Sequence, residues 1–217
     1  MNRFDIDNTQ QKRIRDLVLG PGLYASFSLE GRYVFVDKGG RLVTLLQKRL
    51  AVDTMVQSRR DRGLYCIEEK IVRWPGYEYS CFTLETESNI CVGYESEGWM
   101  RYGQADFLNY VMCQENGDVF VYLINFPKLQ AAFWPVETSF EETITPSAMQ
   151  LNRSRCRKVP IEWVRKNVGL WPMRIPTSDE GARAVIEYNN NSYRRRAEPP
   201  SRQADFFADF ESGGSHE

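Results

Sequence analysis

Tyr65-Cys66-Ile67-Glu68-Glu69-Lys70-Ile71 is the stretch on which the reading of this chain turns. It has the length and apolar frame of a strand, yet it carries three consecutive charges. Side chains alternate along a strand, so Glu68 and Lys70 share one face while Ile67, Glu69 and Ile71 share the other. A polar turn, Ser58 to Gly63, separates it from a second strand expected over 50–57. There Asp53 stands among apolar residues, in Ala51-Val52-Asp53-Thr54-Met55-Val56, and a carboxylate in that setting needs a partner or a cation. If the two runs pair as a hairpin, Asp53 comes beside Glu68. Two carboxylates at close range repel, and a divalent cation relieves the repulsion. Mg²⁺, with Mn²⁺ as its substitute, is served by one or two carboxylates plus water and phosphate oxygens. Lys70 would then stand just beyond the ion, placed to hold an attacking water or to stabilise charge growing on phosphate oxygens. The bland alternative makes Glu68 and Lys70 surface residues of an edge strand, paired with each other or with Arg73.

Working outward, Asp7, Asn8 or Thr9 can cap a helix running to about Leu19, ended by Gly20-Pro21. Residues 23–36 read as extended, a further strand is expected at 80–86, and 88–103 looks irregular. Phe107, Leu108, Val111 and Met112 have helical spacing and predict a helix over 104–115. Asn116-Gly117-Asp118 breaks the chain before a continuous apolar strand, Val119 to Phe126, of the kind found in a sheet covered on both sides. Pro127 and Pro160 open short helices at about 128–134 and 161–168. The expected fold is α/β, a central mixed β-sheet flanked by helices. It would occupy residues 1–187, with 188–217 a polar, breaker-rich, disordered tail.

Composition narrows the chemistry. The 217 residues carry a net charge of −1, so the whole chain gives no sign of nucleic-acid binding, but the charge is uneven. Arg59, Arg60 and Arg62 crowd the turn beside the motif, and further basic clusters lie at 153–158 and 194–196. Local patches can grip a polyanion whatever the total charge, although solvated surface charge is the ordinary explanation for any one of them. The single histidine is His216, in the tail, which leaves a folded site without imidazole and argues against Ser-His-Asp, Cys-His and His-zinc chemistry. Neither a GxxxxGK[ST] nor a GxGxxG loop occurs. The five scattered cysteines form no CxxC pair and read as reduced thiols; residues 1–19 lack an apolar signal core, and no apolar run spans a membrane. Together these point to a cytoplasmic protein whose catalysis, if any, comes from carboxylates, lysine and a metal.

An Asp followed fifteen residues later by Glu-x-Lys at the end of an apolar strand resembles the PD-(D/E)xK, or restriction-endonuclease-like, nuclease superfamily, with Asp53, Glu68 and Lys70 as the matching residues. Gln47 to Asp53, Tyr65 to Ile71, Leu84-Glu85, Gly98-Trp99 and Gln104 to Tyr110 follow one another as in small members from phages and mobile elements, over roughly residues 10–170. The resemblance implies a restriction-endonuclease-like sheet and Mg²⁺-dependent hydrolysis of DNA phosphodiesters. Val52 replaces the nominal proline, and the first helix offers Asp16, Gln10 or Gln11 where such proteins often carry an acid. Glu85 is a further metal or structural carboxylate, or a salt-bridge partner. Gln47 would contact phosphate or bound water, or simply brace the backbone. Trp74, Tyr77 and Tyr79 would stack on bases or cover the sheet; Trp99 and Trp134 read as core. Cutting both strands of a duplex often takes two sites, which leaves room for a homodimer.

Gln203-Ala204-Asp205-Phe206-Phe207 resembles the pentapeptide by which bacterial replication and repair proteins dock on the sliding clamp. Gln203 would supply amide hydrogen bonds, Asp205 matches the Ser-or-Asp position, and Phe206 and Phe207 would fill an apolar pocket; alternatively the phenylalanines fold back on the domain. Three readings therefore stand: a nuclease, a catalytically inactive DNA- or protein-binding module on the same fold, and a phage or mobile-element adaptor whose tail does the binding.

Overall fold

The computed structural model describes residues 3–36, 45–47, 49–73, 80–88, 90, 96–146 and 153–190. Helix α1 (Arg3–Ile14) continues as a π-helix over Arg15–Tyr24 and a final turn over Ala25–Phe27, then leads into strand β1 (Ser28–Phe35). After a short helical stretch at 45–47 and 49–50 come β2 (Thr54–Ser58), β3 (Leu64–Val72), β4 (Cys81–Ser88) and β5 (Ser96–Glu97). Helix α2 (Trp99–Tyr102) precedes β6 (Phe107–Cys113) and β7 (Val119–Asn125). Helix α3 (Phe126–Phe133), β8 (Glu141–Pro146), β9 (Arg153–Pro160), helix α4 (Ile161–Asn167), β10 (Trp171–Ile175) and helix α5 (Asp179–Asn190) complete it. No described helix is long and apolar enough to cross a membrane.

The main sheet has the order β1-β2-β3-β6-β7-β10. Among the described residues only β3 and β6 run parallel in it; the other neighbours are antiparallel, so the sheet is mixed as expected. The parallel register is pinned at its start, where the Cys66 amide donates to the Asp106 carboxylate and the Asp106 amide to the Cys66 carbonyl, both at 2.8 Å. One face packs Ile67, Ile71, Val111 and Val121 against the N-terminal helix and α5. The opposite face packs Leu108, Tyr110 and Tyr122 against Phe82, Leu84 and Val159 of a second, antiparallel sheet, β5-β4-β9-β8, together with helices α3 and α4.

Several expectations are corrected. Gly20-Pro21 does not end the first helix. Proline lacks the amide an α-helix needs there, and the chain widens into π winding instead, with the Ala25 amide reaching the Gly20 carbonyl. The extended segment therefore starts at Ser28, and the hairpin strand at Thr54. Residues 107–113 form a central strand, not a helix. Their apparent stripe had no polar face opposite it: Asn109, Tyr110 and Cys113 are buried as well. The second sheet, β10 and α5 were not foreseen. The strands at 64–72, 81–88 and 119–125 and the proline-led helices α3 and α4 match the sequence reading. Asn125 caps α3 by accepting from the Lys128 amide at 2.9 Å. Helix α5 runs past residue 187, with Tyr188 buried against the first core. Cys66 and Cys81 are half-buried and Cys113 and Cys156 buried, all four as free thiols.

Candidate active site

Asp53 sits one residue ahead of β2 and is held by its backbone on both sides. Its amide donates to the Ile67 carbonyl at 2.8 Å, and its carbonyl accepts from the Val36 amide at 2.7 Å. This places its carboxylate at the β2–β3 ladder, where it meets Glu68. The hairpin register, Thr54 opposite Ile67, is what brings the two acids together. Because β3 lies between β2 and β6, it is no edge strand, and Glu68 and Lys70 face the half-buried gap toward the second sheet. Arg73 is engaged elsewhere, donating to the Tyr188 carbonyl at 2.8 Å and stacking over the Tyr188 ring.

The electrostatics follow from this crowding. Burial, then the negative charge of Asp53 and a hydrogen bond to it, push the Glu68 carboxyl well above the ordinary glutamate value, with Lys70 opposing the rise. Burial disfavours the charge on Lys70, yet Glu85, ahead of Cys156, Tyr110 and Glu68, raises its pKa, so the ammonium persists. Glu85 projects from β4 of the second sheet and accepts from the Ser88 hydroxyl. Tyr102, at the end of α2, closes the group. Its phenol is pushed up to about 12 by burial and by Glu68, Glu85 and Asp53. Gly98 lets α2 approach so closely: a Cβ there would lie 2.5 Å from the Glu85 carbonyl oxygen.

A metal can be tested against this set. Asp53 and Glu68 set two carboxyl groups against each other, and burial and that contact raise the Glu68 pKa well above its ordinary value. A cation held between them would offset that repulsion. Among the described residues no three carboxylate, cysteine or histidine side chains gather as a ready cage, Glu85 included. Two carboxylates suit an ion that keeps most of its water, as Mg²⁺ or Mn²⁺ does, and do not suit a structural Zn²⁺ or Ca²⁺ site.

Behind Asp53 lies a buried network that sequence reasoning missed. Glu69, whose side chain is 0% exposed, accepts from Arg15 Nε at 2.5 Å, from the Thr54 hydroxyl at 2.6 Å and from the Tyr24 hydroxyl. Asn109 donates in turn to the Tyr24 oxygen at 2.7 Å. Arg15 also reaches Asp53, its terminal nitrogen lying 3.3 Å from Oδ1, while the Glu69 amide donates to Asp53 Oδ2 at 3.1 Å. The signal was present: Glu69 alternates with Ile67 and Ile71 on an apolar face and had to be partnered.

The remaining expected residues fall into place as follows. Gln47 takes the bland role, donating to the Val36 carbonyl at 2.6 Å and so bracing the segment that holds Asp53. Arg59, Arg60 and Arg62 are exposed at the hairpin tip. Asp61 between them turns inward, accepting from the Gly63 amide at 3.0 Å and from the Tyr65 hydroxyl. Within the basic run at 153–158, Arg155 pairs with Glu87, Arg157 with Glu137 and Lys158 with Glu141. Trp99 is core and Trp134 packs against it. Trp74, Tyr77 and Tyr79, and the tail residues Gln203, Asp205, Phe206 and Phe207, lie outside the described residues. No family model, no curated protein and no solved structure matches this chain.

Proposed function

We propose that the chain is a Mg²⁺-dependent deoxyribonuclease of PD-(D/E)xK type, with Asp53 and Glu68 holding the ion and Lys70 beside the reacting phosphate. The observation that carries the reading is that Asp53, just ahead of β2, meets Glu68 on the central strand β3 of a mixed sheet, with a charged lysine two residues along on the same face. Such an ion lowers the pKa of water and offsets charge on the leaving oxygen. The chain's own residues do the rest. Asp53 and Glu68 would hold the ion, and Lys70, kept protonated by Glu85 and Glu68, would orient the phosphate and stabilise its growing charge. The exposed arginines at the hairpin tip, set on a turn stiffened by Asp61, supply phosphate contacts away from the site. The tail peptide Gln203–Phe207 would bring the enzyme to a sliding clamp; removing residues 191–217 should abolish capture by purified clamp and leave basal cutting.

The test is incubation of the purified chain with supercoiled plasmid, linear duplex and single-stranded DNA, each with Mg²⁺, Mn²⁺ or EDTA. Metal-dependent cutting that disappears in Glu68→Gln and Lys70→Ala is expected. A folded chain that cuts none of these overturns the reading. One observation favours a second reading, a DNA-binding module without cleavage: Arg15 already partly neutralises Asp53. Retention of duplex with equal affinity in EDTA and Mg²⁺, without cutting, is its signature.

A further inference from the structure

Among the described residues no third carboxylate, cysteine or histidine joins Asp53 and Glu68, and Arg15, from the N-terminal helix, contacts Asp53. We propose that Arg15 is a positioning residue of the metal site: anchored by Glu69, it holds the Asp53 carboxylate in the orientation that meets Glu68. The inference rests on the reading of Asp53 and Glu68 as the metal-holding pair.

The geometry has three parts. First, the two contacts come from different nitrogens of one planar guanidinium, Nε to Glu69 at 2.5 Å and a terminal nitrogen to Asp53 at 3.3 Å. A rigid fork transmits the position of one carboxylate to the other, which a flexible ammonium does not. Second, the anchor is itself fixed. Glu69 is held by Tyr24 and Thr54 as well as by Arg15, and Tyr24 is held by Asn109 on the neighbouring strand. Third, each Asp53 oxygen receives one donor from the rear, Oδ1 from Arg15 and Oδ2 from the Glu69 amide. Each oxygen keeps acceptor capacity for the front, where Glu68 lies.

A buried arginine–glutamate pair is a poor device for stability alone, since apolar replacements of equal volume often serve as well. Its reach to Asp53 gives it a use. π winding makes that reach compatible with Tyr24. Arg15 and Tyr24 are nine residues apart, about two and a half turns of an α-helix, which would point them to opposite sides. The wider i→i+5 winding makes nine residues roughly two turns and turns both side chains toward Glu69.

The sign of one measurement separates positioning from mere proximity. A guanidinium acting only as a nearby positive charge repels a cation, so its removal tightens metal binding. A guanidinium that holds a ligand in place gives the opposite result. Calorimetric titration of the full chain with Mn²⁺ reads this without reference to cleavage, with melting curves as a folding control. The double variant Arg15→Gln/Glu69→Gln removes both buried charges and strands neither; it should fold and bind Mn²⁺ about tenfold more weakly than wild type, the range typical of lost ligand support. Arg15→Lys keeps the charge and loses the fork, and should weaken binding similarly; it also serves if the double variant does not fold. Wild-type binding that is equalled or exceeded by the folded variants overturns this inference alone. Absence of Mn²⁺ binding to wild type overturns the metal-site reading and the inference with it.

Discussion

Glu68 and Glu69 are chemically identical neighbours on one strand, and they live in opposite conditions. Glu69 faces the helices and is completely buried, yet an arginine, a tyrosine and a threonine satisfy its carboxylate. Glu68 faces the second sheet beside another acid, and burial together with Asp53 raises its pKa well above the ordinary glutamate value. Both acids are removed from water, and what separates them is the charge they meet: Glu69 meets donors, whereas Glu68 meets Asp53. A carboxylate held by several donors stabilises a single arrangement, whereas two carboxyl groups set against each other are a candidate site for a ligand of opposite charge.

That contrast can be broken by experiment. The largest effect should come from Glu68→Gln, which is expected to lower DNA cleavage about a thousandfold or more (~4 kcal/mol of barrier stabilisation) while leaving the melting temperature at neutral pH unchanged or higher. An equal loss of stability would make Glu68 structural and erase the difference between the two acids. Next comes Glu69→Gln, which loosens a buried ion pair and should cost roughly 3 kcal/mol, read as a fall of roughly 6–12 °C in melting temperature. A smaller effect concerns pH. The folded chain holds the Glu68 proton more tightly than the unfolded chain, so its contribution to stability is complete below about pH 4.5 and is lost as pH rises toward the elevated folded value. Metal-free melts should therefore decline with rising pH in wild type and flatten in Glu68→Gln, and saturating Mg²⁺ should restore the wild-type value. The smallest effect belongs to Asp61, held down to about 2 by Tyr65 and the Gly63 amide. Its contribution is present above pH 3.8 and is lost as pH falls through about 2, so Asp61→Asn should lower the melting temperature slightly at pH 7 and by less at pH 2.

The hairpin that carries the site was legible because its signals were local. Alternation placed Glu68 and Lys70 on one face, a six-residue polar turn fixed the connection, and Asp53 stood out against its apolar neighbours. The network behind it was not legible, because it joins residues 15, 24, 54, 69 and 109, which no local pattern connects. The strand at 107–113 was misread for a related reason. Its apolar run suits a helix or a strand equally, and only the parallel pairing with β3 decides between them. The arginines of β9 looked like a patch for a polyanion because their acidic partners, Glu87, Glu137 and Glu142, come from other segments of the chain.

The π-wound segment from Arg15 to Tyr24 has a consequence for how this gene can vary. Two side chains nine positions apart share a direction only while the count between them stays at that number. Substitutions at Leu17, Val18 or Leu19 alter packing and leave the count intact. Loss of one codon anywhere in 16–23 shifts Tyr24 around the axis relative to Arg15, and unhooks one or the other from Glu69 without changing either residue. The stretch should accordingly tolerate point changes more readily than changes in length, with spacing rather than composition as the inherited trait.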